Sequence, residues 1–237
     1  MEKKIIDIIK SLLSDSNVQR QWLEKKDELK RHAAVIKKLE MEMPGAWVPL
    51  RLACSGFLTQ RTSLKNTNCP IFLNDWKVIW DEIKPIKSRK EKMADVFSSW
   101  LKSRGNHHYA RKFGEYYSSY WVSRNWDLEN SLQDLHKLRS LDTAEEVKKW
   151  WMEFSGIGVQ YGKNIPMDEM DTRFMNYVKI DHRLSTIVDK MGGVELSATE
   201  KQDVFRAAAN GLSMSAWEID RFCFNFHKEV ITMIPNN

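Results

Sequence analysis

TAEEVKKWWMEFSGIGVQYGKNI, residues 143–165, decides the fold. Thr143 stands three residues ahead of Glu146, the spacing at which hydroxyl and carboxylate satisfy each other's orphan backbone donors at a helix start. Val147, Trp150, Trp151 and Phe154 then recur at helical spacing and give that helix one apolar side. Gly156 and Gly158 stop it, and VQYGKNI can form a second short helix. The local reading is helix, G-I-G turn, helix. Glycines open conformations closed to residues with a Cβ, and they let backbone N–H groups approach a phosphate with no side chain between. A plain tight turn between packed helices would use the same letters, so the turn alone assigns no role.

Outward from this stretch the apolar residues recur mostly at helical spacing, and six prolines and ten glycines punctuate segments without forming a linker. An all-α fold is the economical reading. Ser197 and Glu200 mark a second capped helix start. KKDELKRHAAVIKKLE, residues 25–40, alternates charge and reads as a long exposed helix. HHYARKFGEYYSSYWVSRNW, residues 107–126, interleaves aromatics with Arg111, Lys112 and Arg124. Such a segment can stack on bases, but an amphipathic helix filling core explains it better. His107 and His108 read as polar loop residues without a third metal ligand.

Composition sets outer bounds. A formal charge of +5 and a pI near 9.0 permit a polyanionic partner without establishing one. Cys54, Cys69 and Cys223 are far apart with no CxxC, so neither a zinc site nor an iron-sulfur cluster has enough local ligands. No apolar run of about 18 residues occurs, and the start, MEKKIIDIIKSLLSDSN, is too broken for a signal peptide. The expected compartment is the cytoplasm, at the nucleoid, in a bacterium or archaeon, and the nucleus in a eukaryote.

Downstream, NYVKIDHRLSTIVDK, residues 176–190, places Asp181 after an extended YVKI segment and at the entry to a helix carrying Leu184, Ile187 and Val188. An aspartate there can simply be an N-cap. Upstream lies SGFLTQRTS, residues 55–63. In this order, SGFLTQRTS, FSGIG (154–158) and IDHRL (180–184) resemble the helix-hairpin-helix (HhH-GPD) DNA glycosylase superfamily. Its members carry an I-L-S-Q-Q-T-S segment, an L-x-G-[VI]-G hairpin and a V-D-x-x-[VI]-like element. The likeness runs over roughly residues 47–227, weakest between about 100 and 141, and is to a member without the iron-sulfur cluster.

The resemblance implies a two-lobed helical fold with the active site in the inter-lobe cleft. One lobe would comprise residues 1–46 plus 176–237, the other residues 47–175 with the hairpin. The implied partner is double-stranded DNA containing a damaged or modified base, with no membrane involved. Asp181 would be the catalytic carboxylate, stabilising positive charge on the sugar as the glycosidic bond breaks. Gly156, Ile157 and Gly158 would grip phosphate by their backbone, with a Na or K ion bridging hairpin carbonyls to it and no other cofactor. Gln60 and Arg61 would fill the gap left by the extruded base, although both equally suit a polar helix end. Gln160 stands where lyase members carry a Schiff-base lysine, which implies a monofunctional enzyme. Lys163 lies about 300° further round the helix, near the same face as Gln160, so it stands against that reading, although a phosphate contact or plain solvent exposure suits it better. Gln160 and Trp217 are the pocket residues, Trp217 also suiting the core. Asp168, Asp171 and Asp189 are alternatives by proximity, the first two reading as a polar loop, IPMDEMDTR. Two other readings stand beside the enzyme: a non-catalytic helix-hairpin-helix DNA-binding protein, and an unrelated helical scaffold.

Overall fold

In the computed structural model, which describes residues 1–59 and 76–235, the helical spacing becomes thirteen α-helices, with no strand among the described residues. In chain order they are α1 (Glu2–Ser14), α2 (Ser16–Glu42), α3 (Pro44–Arg51), α4 (Trp76–Ile83), α5 (Met93–Ser103), α6 (Ala110–Ser123) and α7 (Leu128–Arg139). There follow α8 (Ala144–Met152), α9 (Val159–Asp168), α10 (His182–Lys190), α11 (Ala198–Leu212), α12 (Ala216–Asn225) and α13 (His227–Thr232). A π-helical stretch, Leu52–Leu58, continues α3. Gln60, Arg61 and Cys69 lie outside the described residues.

The helices gather into two compact units, one of Met1–Lys30 with Met170–Asn237 and one of Arg31–Glu169. The first is built on α1, α10, α11, α12 and α13, with Ile9, Leu184, Ile187, Phe205 and Phe222 in its core. Its chain reversals are fixed by side-chain caps. Ser197 with Glu200 starts α11, and Ser215 with Glu218 starts α12 in the same reciprocal way, a third capping box beyond the two read from sequence.

The second unit is an aromatic core. Phe97 stacks on Tyr117 with ring centres 4.0 Å apart, and Phe57 on Phe113 at 4.9 Å. Offset stacks of this kind add to the area they bury. The aromatic run at 107–126 is therefore core: α6 packs along α5, and Phe113, Tyr117, Tyr120 and Trp121 are buried. The charged stretch at 25–40 does lie in a long helix, α2, but Ala33, Ile36 and Leu39 give it a buried face. Isoleucine and leucine at i and i+3 outweigh the charges around them. IPMDEMDTR is likewise less of a loop than expected. Residues 165–168 complete α9, and Asp171 caps a short 3₁₀ turn, Thr172–Phe174.

Candidate functional site

The hairpin belongs to the second unit. Thr143 and Glu146 form the full capping box that starts α8, and the helix gives way to the turn at Phe154–Gly158. Gly156 adopts φ +86°, and a Cβ there would come within 2.7 Å of Tyr116 and 3.0 Å of Phe57. Both the backbone and the space therefore require glycine at that position. The turn closes with the Ile157 N–H donating to Phe154 O at 3.0 Å.

Ile157 and Gly158 have opposite fates. Ile157 is 4% exposed, its side chain packed toward Gly56. Gly158 is the exposed N-cap of α9 with φ −86° and nothing within 4 Å of where its Cβ would be. Neither strain nor crowding demands glycine there. What a glycine N-cap does is leave the first N–H groups of α9 without a side-chain acceptor. Free donors at the positive end of a helix dipole are the chemistry that favours an anion. Gln160 is exposed on the first turn of α9, and Lys163 is half-buried one turn further on.

Asp181 belongs to the first unit. It is the N-cap of α10, its Oδ1 accepting from the backbone N–H groups of Arg183 at 2.9 Å and Leu184 at 3.1 Å. The capping role read from sequence is thus real, and it occupies one carboxylate oxygen. The other, Oδ2, lies 3.8 Å from Nζ of Lys179, and the Asp181 side chain keeps 20% exposure. No strand forms over Tyr177–Ile180, which runs without regular secondary structure into α10.

Two further residues lie beside Asp181, Asp220 and Arg183. Asp220 on α12 is 1% exposed, and its Oδ1 accepts the Lys179 backbone N–H at 2.7 Å, tying that segment to α12. Burial pushes its carboxyl above the ordinary range, against the lowering pull of Arg221 and Lys179. Arg183 lays its guanidinium over Phe224, 4.2 Å from the ring centre, and donates to Phe224 O at 3.3 Å. The sequence signal for Asp220 was a charge in the same helical stripe as Trp217 and Phe224, where a solvated residue would be out of place.

The other carboxylates are engaged elsewhere. Asp189 pairs with Lys201 at 2.5 Å and accepts from Ser185, and Asp171 chelates Arg173. Trp217 is 1% exposed, with its backbone N–H donating to Met175 O, so it lies within packing. No group of three or more metal-ligating side chains occurs among the described residues. None of the described helices is long and apolar enough to cross a membrane.

No protein-family model and no curated protein matches the chain. Its fold, however, is shared with a solved structure, the 8-oxoguanine glycosylase/lyase of Methanocaldococcus jannaschii in complex with 15mer DNA containing 8-oxoguanine. The two align with a TM-score of 0.58 at 16% identity, over 94% of this chain and 96% of that one. The all-α fold is therefore shared with that DNA glycosylase/lyase over nearly the whole of both chains.

Proposed function

We propose that this protein is a DNA glycosylase of base excision repair that extrudes a damaged or modified base and hydrolyses its N-glycosidic bond. The observation that carries the reading is the fold shared with a DNA-bound glycosylase over nearly the whole of both chains. The hairpin supports it independently, because Gly158 is a glycine that the turn itself does not require.

In this reading the hairpin holds DNA by backbone N–H groups at Gly158 and the start of α9, fixing the strand without reading sequence. A Na or K ion suits the same turn. Its ligands would be backbone carbonyl oxygens of the turn, hard donors fitted to such ions. Asp181 then stands at the sugar. As the bond to the base breaks, positive charge grows on the anomeric carbon and Oδ2 faces it; water supplies the hydroxyl that replaces the base, and the base leaves carrying the water's other proton. Gln160 offers an amide where a Schiff base needs an amine, so the product is an intact abasic strand.

Asp181→Asn tests this cleanly. Asparagine is as good an N-cap as aspartate, so the fold and the Oδ1 contacts survive while the charge is lost. Wild type should release free base from a panel of damaged duplexes headed by 8-oxoguanine, and the variant should lose release with its DNA affinity kept. One observation favours a second reading, a silent DNA-binding module: the cap bonds by themselves explain an aspartate at 181. Tight, salt-sensitive binding with no release from a broad panel would decide for that module.

A further inference from the structure

In the segment Tyr177–Ile180 that leads to Asp181, Lys179 stands two residues ahead of Asp181 and turns its ammonium toward that carboxylate. Lys179 is 6% exposed, and an ammonium is buried at a cost unless something pairs with it. Its Nζ lies 3.8 Å from Asp181 Oδ2 and 5.5 Å from the centre of the Phe224 ring. Its backbone N–H is held by the fully buried Asp220 of α12. One anchor on α12 therefore places both the cation and the carboxylate it faces.

We propose that Lys179 is a positioning residue for Asp181. Backbone donors fix Oδ1, and Lys179 biases the direction of Oδ2, the oxygen that the glycosylase reading places at the sugar, a reading on which this inference rests. The 3.8 Å ion pair is longer than a hydrogen bond, so it biases the carboxylate toward one orientation that the two backbone donors on Oδ1 already favour. A misplacement of about 1 Å at a reacting centre can cost on the order of a hundredfold in rate.

The experiment is single-turnover base release by wild type, Lys179→Met, Lys179→Gln and Lys179→Arg, using a lesion that wild type cleaves, with duplex affinity and Tm measured alongside. The expected result is a release rate lower by about tenfold in the Met and Gln variants, affinity within about twofold of wild type, and recovery of most of the rate by arginine, which restores a cation. Gln, polar and neutral, carries the test if Met does not fold. An unchanged rate would reduce Lys179 to packing. A loss of affinity in step with the rate would make it a DNA contact. Borohydride trapping of DNA on wild type but not on Lys179→Gln would make it a nucleophile, and each of these overturns the proposal. A wild type that releases no base from any lesion ends the glycosylase reading itself, a result distinct from all three.

Discussion

Gly156 and Gly158 stand two residues apart under different constraints, and substitution should separate them. Alanine at 156 would have to hold φ near +86° with its Cβ 2.7 Å from Tyr116. Strain and overpacking together should cost roughly 2–4 kcal/mol, visible as a lowered midpoint in urea. Serine at 158 meets open space and is a preferred N-cap, so stability should hold or rise by a few tenths of a kcal/mol. Its hydroxyl would take a donor that a phosphate needs, so duplex affinity should fall; unchanged affinity would remove the hairpin from the DNA interface. The letters GIG were legible as a turn, but which glycine the turn needs depends on Tyr116 and Phe57, neighbours distant in sequence. Lys179 was hidden for the same reason. Its burial follows from Asp220, which lies 41 residues further on.

Helix starts were the most legible elements, because a capping box is written within four residues. Thr143 with Glu146 and Ser197 with Glu200 show that spacing plainly and form the box, whereas Ser215 with Glu218 carries it inside the aromatic string SAWEIDRF, which masks it. Helix faces were harder. The charge pattern of α2 says nothing of which side meets a partner, and the π-helical stretch at Leu52–Leu58 has no local signature. Between elements, Asp189 of α10 clasps Lys201 of α11, and hydrogen bonds from Lys201 and Ser185 hold its carboxyl below the ordinary range. A carboxylate lowered in the folded state contributes its stability in full above the unfolded value and loses it as pH falls through the folded one. Wild type should therefore lose part of its stability on acidification below about pH 4, and Asp189→Asn, less stable at neutral pH, should lose less over that window. Thermal midpoints from pH 7 to pH 2 check this; parallel curves for the two proteins would show that the clasp contributes nothing.

At the scale of the whole molecule the all-α class followed from apolar periodicity, and its kinship in fold followed from three short motifs in order, one of which, SGFLTQRTS, runs past Thr59 out of the described residues. Composition was less informative. A surplus of 37 basic over 32 acidic residues is spread along the chain, so net charge cannot say how DNA would be held. Salt dependence can. Each phosphate neutralised by a cation contributes about −0.9 to the slope of log K against log salt, whereas a backbone N–H displaces no counterion of its own. Wild type should bind undamaged duplex with a clearly negative slope. Lys163→Gln should make that slope shallower by about one, as a phosphate-contacting lysine would. Gly158→Ser should weaken binding at every salt concentration while leaving the slope unchanged, because it removes a donor and no charge. If Gly158→Ser shifted the slope instead, the hairpin would be acting through neighbouring cations. If wild type showed no salt dependence at all, the chain would share the glycosylase fold without its electrostatic grip on DNA.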